Sequence, residues 1–177
     1  MKKFGIGILF FIVFLILYFL EANLFPLITI KGVLPNLIVI FILFIGLFAN
    51  TTYGILFGAI CGLILDLIYG KCVGISAVML CVIGYLGSYF DKNFSKENKI
   101  TIILMVVGTT IIYEAGYYLL NSIILGFNTE WFYFAKILII EVVYNVLLSI
   151  LLYPVIQKAG YAVDRIFKRN NVLTRYF

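Results

Sequence analysis

The sequence predicts an all-α integral membrane protein with six transmembrane helices in a single polytopic domain, residues 1–177. Hydrophobic residues make up 64% of the chain and charged residues only 12%, and the mean hydropathy is +1.16. A soluble domain has roughly 45–50% apolar and about 25% charged residues. Because a chain this apolar cannot cover its surface with polar groups, much of that surface must face lipid.

Long apolar runs define the expected helices. Each run is close to the ~20 residues that an α-helix needs to cross a bilayer, and too uniformly apolar for barrel strands. The first run follows Lys2 and Lys3 as in a signal peptide, but no small-residue cleavage site follows it, so we expect a retained helix. The connections at residues 50–52 and 70–72 are so short that the helices they join must be antiparallel neighbours. The helices are expected at residues 4–20, 33–49, 53–69, 73–90, 100–125 and 131–157.

The basic residues predict the orientation, because lysine and arginine accumulate on the cytoplasmic side of a membrane. With the N-terminus inside, the external loops hold only Lys31 and Lys71. Both termini are then cytoplasmic, and residues 158–177 form a basic cytoplasmic tail that either lies along the anionic leaflet or is solvated. The cytoplasmic segments hold Lys2, Lys3, Lys92, Lys96, Lys99, Lys158, Arg165, Lys168, Arg169 and Arg175.

The third helix and the turn after it carry small residues at a four-residue spacing. Such a spacing forms a slowly drifting stripe on a helix, and glycine lets another backbone approach closely. Two interpretations remain open: the stripe packs the fold internally, or it receives the transmembrane helix of a partner. The stripe consists of Gly54, Gly58, Gly62, Asp66, Gly70 and Gly74.

Ionisable residues inside apolar segments need a partner, a proton or water, because a charge in the bilayer costs at least about 2–3 kcal/mol. Asp66 and Lys136 both lie near the external ends of their helices, so we expect them to form an ion pair. Glu114 and Glu141 fall near the midplane, where two carboxylates would repel each other if both were ionised.

Asparagines extend this second pair. Asn121 lies two turns from Glu114, and Asn145 lies one turn from Glu141. The four residues predict a buried polar seam between the fifth and sixth helices. Such a seam suits either a structural clasp or a site that handles protons or solutes, and we favour the clasp because no histidine and no helix break accompanies the carboxylates.

The composition also argues against other classes of protein. Histidine is absent, which removes the commonest general base and metal ligand. Cys61, Cys72 and Cys81 form no CxxC motif and fit apolar helix positions. The basic residues have no pattern suited to nucleic acid. We therefore expect no cofactor, no metal and no enzyme activity.

A series of motifs stands in residues 33–90: Pro35-Asn36-Leu37, Gly58, Gly62, Leu65-Asp66-Leu67, Gly70, Gly74 and Gly84-Tyr85. With this series the segment resembles the family of the rod-shape-determining membrane protein MreD. The family has a Pro-Asp-Leu near the start of its second helix, a glycine-spaced helix ending in Leu-Asp-Leu, a glycine turn and a Gly-Tyr pair. Asn36 replaces the usual aspartate and weakens any role that needs a carboxylate there.

The resemblance implies a non-catalytic scaffold in the bacterial cytoplasmic membrane that supports peptidoglycan synthesis and cell shape. The implied partners are an MreC-like single-pass protein, a cell-wall glycosyltransferase with its penicillin-binding transpeptidase, MreB filaments and membrane lipid. The hypothesis assigns partner packing to the third-helix stripe, with Asp66 its most sensitive polar residue.

The main alternative is a substrate-binding subunit of an energy-coupling-factor vitamin transporter, because the MreD family is similar in fold to those six-helix subunits. Such subunits usually carry an alanine-x-x-x-alanine motif in the first helix, and residues 4–20 contain no alanine. A lipid-modifying enzyme is a weaker alternative, since no nucleophile–base pair is recognisable.

Overall fold

The computed structural model describes residues 2–69, 72–94, 98–126 and 131–168, and this part of the chain is helical without any named strand. Five of its helices are long and apolar enough to cross a membrane. The exception is α2, which has 12 residues. The helices are α1 (Lys2–Asn23), α2 (Leu37–Phe48), α3 (Thr51–Tyr69), α4 (Ile75–Asn93), α5 (Lys99–Leu125) and α6 (Trp131–Lys168), with a short 3₁₀ helix at Phe25–Ile28.

Local sequence explains why α2 begins at Leu37 rather than at the expected residue 33. Lys31 and Gly32 have positive φ angles of 53° and 79° and turn the chain between Ile30 and Val33. Pro35 then disfavours a helical residue before it. Asn36 caps the helix, because its Oδ1 accepts a hydrogen bond of 3.1 Å from the Val39 amide.

The last helix continues well past the expected end at residue 157. Pro154 lies inside α6, and the helix runs on to Lys168. Residues 158–168, expected to begin a cytoplasmic tail, therefore form the last turns of α6, while residues 169–177 lie outside the described part of the chain.

The helices alternate in direction. Phe10 lies 5.5 Å from Phe57 and Tyr18 lies 5.9 Å from Tyr69, measured between ring centroids, so α1 and α3 are parallel. Phe167 lies 4.7 Å from Tyr53, which brings the end of α6 beside the start of α3. The start of α1 and the end of α6 therefore lie at one end of the bundle. We call this the terminal end and the opposite one the distal end.

The most extensive helix contact is between α3 and α4, and glycines make it possible. A Cβ atom added to Gly54 would meet the Gly84 carbonyl, and one added to Gly58 would meet Leu80. One added to Gly62 would overlap Ala77. Successive glycines of α3 thus contact residues of α4 with decreasing residue numbers. The two helices are therefore antiparallel, with their backbones in direct contact.

Helix α2 forms the centre of the bundle. All its residues except Phe41 are buried, and it contacts each of the other five helices. Its 12 residues extend about 18 Å, whereas the 19 residues of α3 extend about 28 Å. Because the two helices are joined by a tight turn at the terminal end, α2 stops about 10 Å short of the distal end of α3.

Candidate functional site

A cavity of about 500 Å³ occupies the space beyond the start of α2. Its walls come from the distal ends of α1, α3, α4, α5 and α6, and the residues before α2 form its floor. The cavity thus follows from the short length of α2. Its lining combines apolar, tyrosine and carboxylate side chains: Glu21, Ala22, Pro26, Leu34, Pro35, Asn36, Leu65, Asp66, Tyr69, Ser76, Tyr113, Glu114, Tyr117 and Glu141.

The floor of the cavity is the N-terminus of α2, whose first amides have no partner within the helix. Glu21, in the last turn of α1, accepts a hydrogen bond of 3.2 Å from the Ile38 amide. The Asn36 amide donates to Asn145 Oδ1 on α6 at 2.8 Å. A carboxylate at this position also interacts favourably with the helix dipole. Side chains from α1 and α6 therefore complete the capping of the central helix.

A glutamate pair lies beside this cap. The Glu114 carboxyl group on α5 lies within hydrogen-bonding reach of that of Glu141 on α6 and of the Asn36 side chain. Glu141 is 6% exposed. A hydrogen bond between two carboxyl groups requires a shared proton, which removes the repulsion that two ionised groups would suffer. The pair thus joins α5 to α6 and to the start of α2.

Asn145 extends the network deeper into the bundle. It is fully buried, and its Nδ2 donates to Thr110 Oγ1 at 3.1 Å while its Oδ1 accepts from Asn36. Both functional groups of the amide are therefore satisfied, as burial requires. The predicted seam between α5 and α6 contains Glu114, Glu141 and Asn145.

Two residues assigned to the seam lie elsewhere. Asn121 is half-buried and donates 3.0 Å to the Tyr117 carbonyl of its own helix. Lys136 is exposed on the surface of α6. Asn121 and Glu114 are seven residues apart on α5. Their side chains therefore share nearly the same face, but Asn121 lies about 10 Å further along the helix axis. The seam ends before this level.

Asp66 caps α4 across the α3–α4 turn. Its carboxylate accepts hydrogen bonds from the amides of Gly74, Ser76 and Ala77 at 2.8, 3.1 and 3.3 Å. Asp66 is only 2% exposed. The expected ion pair with Lys136 is therefore not formed between these two described residues, because backbone donors of α4 already surround the carboxylate.

The glycine stripe divides between two roles. Gly54, Gly58 and Gly62 are covered by α4, so they pack the fold internally and leave no room there for a partner's helix. Gly74 follows the end of α3 and adopts a φ of 112°, which suits glycine and starts α4. Gly70 lies outside the described residues.

The remaining residues of the family motif, Pro35, Gly84 and Tyr85, lie in different surroundings. Gly84 packs directly on Gly54, whereas Tyr85 is 52% exposed on the outer face of α4. Pro35 is buried at the cavity floor. Pro35, Asn36 and Asp66 thus line the cavity, while Gly84 holds α3 against α4.

Sequence reasoning missed Glu21, which it placed in a loop. One signal could have identified it. An acidic side chain in the last turn of a helix opposes the helix dipole, so its presence there suggests donors from another element. The donor, the Ile38 amide at the start of α2, lies 17 residues further along the chain, and only the fold brings it to Glu21.

The polar groups of this site connect helices. Its carboxyl groups accept hydrogen bonds from helix N-termini or share one with each other, and they join α1, α2, α5 and α6. The described residues contain no group of three or more carboxylate or thiol side chains able to hold a metal ion. Every buried side-chain nitrogen and oxygen in the described part has a hydrogen-bond partner.

These features define a multi-pass α-helical membrane protein in which a short central helix is enclosed by longer ones. The chain matches the family model of the rod shape-determining protein MreD over residues 1–159. It therefore belongs to the MreD family, which indicates a role in determining rod shape. No curated protein and no solved structure matches the chain.

Proposed function

We propose that this protein is a non-catalytic membrane scaffold of the bacterial cell-elongation complex. In this role it supports peptidoglycan synthesis by packing against the transmembrane helices of its partners. The observation that carries the proposal is the family match, which spans residues 1–159 and so includes all the helices at least in part. The partners are an MreC-like single-pass protein, a cell-wall glycosyltransferase, its penicillin-binding transpeptidase and MreB filaments.

The packing of the bundle supports a scaffold. Asp66, Asn36 and Asn145 each fix the start of one helix or connect helices that are distant in sequence. The glycines of α3 are used within the chain, so partner helices must pack on other faces. Helices α1 and α6 offer the largest such area. In the most apolar 18-residue stretch of each, only 17% is buried within the bundle.

The proposed orientation places the terminal end in the cytoplasm of the bacterial inner membrane. The alternating helices bring the described basic positions Lys92, Lys99, Lys158 and Arg165 to the terminal end, and Lys31 and Lys136 to the distal half. This distribution agrees with the cytoplasmic excess of lysine and arginine in membrane proteins. The cavity then lies in the outer half of the membrane.

Cysteine labelling tests this orientation. In a cysteine-free background, Lys31→Cys should react with a membrane-impermeant maleimide in intact cells. Lys158→Cys should react only after the membrane is permeabilised. The opposite pattern would reverse the orientation, and labelling of both positions from outside would contradict the placement of the helices.

Co-purification tests the scaffold itself. The tagged chain, expressed at its native level and extracted in mild detergent, should retain an MreC-like protein together with wall-synthesis enzymes. Asp66→Ala should reduce this recovery and produce rounded cells, whereas Asn121→Ala, whose amide bonds only its own helix, should do neither.

The same experiment separates the scaffold from the transporter alternative. Recovery of transporter ATPases and their membrane coupling subunit, without wall-synthesis proteins, would replace the proposal with a solute-binding subunit. In that case Glu114 and Glu141 would become candidate ligand contacts in the cavity.

A further inference from the structure

A second cavity, of about 390 Å³, lies between α5 and α6 at the terminal end of the bundle. It is separate from the distal cavity and shares no lining residue with it. We call it the terminal cleft. Its lining residues are Lys99, Ile102, Ile103, Ser149, Ile150, Tyr153, Pro154 and Gln157.

The terminal cleft lies at the depth of a lipid headgroup. Trp131 and Tyr153 are 22 positions apart on α6, which corresponds to about 33 Å of helix, close to the ~30 Å thickness of the hydrocarbon core. Trp131, 67% exposed at the distal end, is typical of one membrane interface. Tyr153 therefore falls near the other interface, and Gln157 lies one turn beyond it.

Polarity changes along the cleft in the order found in a phospholipid. Lys99 is the first residue of α5, and Ile102 and Ile103 lie one turn deeper. On α6, Gln157 lies outermost and Ile150 lies about 10 Å deeper. The outer part of the cleft thus offers hydrogen-bond donors. The inner part offers isoleucine side chains and Ser149, whose hydroxyl already donates to the Val146 carbonyl of its own helix.

The charge of the cleft is positive. Lys99 Nζ lies 5.7 Å from the centroid of the Tyr153 ring, so the ammonium group is directed into the cleft rather than away from it. No carboxylate is among the residues that line the cleft in the described part of the chain. The Lys99 ammonium group therefore has no counter-ion among the residues that line the cleft, and the Gln157 side chain adds an amide donor. Together these two donors suit a phosphate diester.

Pro154 adds an acceptor. It has no amide hydrogen, so the carbonyl of Ile150, four residues earlier, loses its usual helical donor. Ile150 lines the same cleft. This carbonyl can accept a hydrogen bond from a bound molecule, at a level between the outer donors and the inner apolar part of the cleft.

We propose that the terminal cleft binds one anionic glycerophospholipid of the phosphatidylglycerol type. Lys99 and Gln157 hold the phosphate, and an acyl chain lies along Ile102, Ile103 and Ile150. A basic pocket between transmembrane helices is a recurring way to hold an anionic headgroup. The inference is independent of the partners proposed above, since it depends only on the geometry of α5 and α6.

Native mass spectrometry of the purified full chain tests the proposal. The protein is reconstituted in nanodiscs that contain equal amounts of phosphatidylglycerol and phosphatidylcholine, then released into mild detergent and analysed for retained lipid. Wild type should retain one phosphatidylglycerol in preference to phosphatidylcholine. Lys99→Gln should weaken this retention about fivefold, the effect of one basic residue near a membrane surface.

Two further variants control for general charge and for folding. Lys92→Gln removes a charge at the same end of the bundle but outside the cleft, and should retain lipid as wild type does. Ile103→Trp fills the apolar part while Lys99 keeps its charge, and should lose the lipid. Size-exclusion chromatography of each variant verifies that it remains folded.

Three results would overturn the proposal. Equal loss in Lys99→Gln and Lys92→Gln would show diffuse attraction to a basic surface. Equal retention of phosphatidylcholine would show that the cleft does not recognise charge. Displacement of the lipid by millimolar inorganic phosphate would show a site for free phosphate instead of a lipid.

Discussion

The glycine contact between α3 and α4 predicts opposite effects for two chemically identical substitutions. A Cβ atom added to Gly54 would lie 2.6 Å from the Gly84 carbonyl oxygen and 2.9 Å from the Cα atom of Gly46. Since an ordinary contact is at least 3.4 Å, Gly54→Ala must push α3 away from α4 by several tenths of an ångström or more. A Cβ atom added to Gly108 on α5 meets nothing within 4 Å.

The magnitude follows from the lost contacts. A gap of roughly 0.5–1 Å removes a quarter to a half of the ~0.1–0.2 kcal/mol that each atom pair contributes, and a helix interface contains a few tens of such pairs. The loss is about 2–3 kcal/mol, partly offset by about 1 kcal/mol from alanine's better helix propensity. We expect Gly54→Ala to destabilise the protein by about 1–2 kcal/mol and Gly108→Ala to stabilise it by about 0.5–1 kcal/mol.

The buried thiol of Cys61 provides the assay. Cys61 is 0% exposed on α3, so a thiol-reactive fluorescent dye can reach it only when the bundle opens. In a background with Cys72→Ser and Cys81→Ser, the midpoint of dye labelling during a thermal ramp in mild detergent reports unfolding. Gly54→Ala should lower this midpoint by several degrees, and Gly108→Ala should leave it unchanged or raise it.

A specific result would refute this reasoning. If Gly54→Ala and Gly108→Ala shifted the midpoint equally, the glycines of α3 would not be required for close approach to α4. The stripe would then be free to receive another helix.

Further predictions concern the hydrogen bonds around the distal cavity, measured in the same labelling assay. Asp66→Ala leaves three amides of α4 without their acceptor and should cost about 3 kcal/mol, with Asp66→Asn intermediate because it keeps one oxygen. Asn145→Ala should cost about 2–3 kcal/mol, while Asn121→Ala should stay within about 0.5 kcal/mol; equal effects would contradict the network. Asn36→Asp keeps the helix cap but adds a carboxylate beside Glu114. It should destabilise the protein at neutral pH by about 1 kcal/mol, and this loss should shrink as the pH falls and the carboxylates become protonated. A loss that grew on acidification would refute it.

Much of the architecture could be predicted from local pattern. The apolar runs predicted the helices, because burial in lipid requires long helical segments. The short connections predicted that α3 and α4 are antiparallel neighbours, and the register of Gly54, Gly58 and Gly62 against α4 agrees with this. Boundaries were less accurate at α2 and α6, where a proline stands before one helix and within the other.

The candidate site was only partly predictable. Glu114, Glu141 and Asn145 could be grouped by depth, since helix geometry relates sequence position to height in the membrane. Depth gives no information about the rotation of a helix or about which side chain caps the next helix. Asp66 was therefore paired with Lys136 when its partners are the amides of α4, and Glu21 was placed in a loop when it caps α2.

The sequence by itself determined that this is a multi-pass helical membrane protein of the MreD family, because composition, helix length and a spaced motif are properties of the chain alone. The tertiary structure decided which surfaces are already occupied. The α3 glycines could pack inside or outside the molecule, and only the position of α4 shows that they pack inside. The cavity likewise exists because α2 is shorter than its neighbours, and that difference produces a space only when the helices are set side by side.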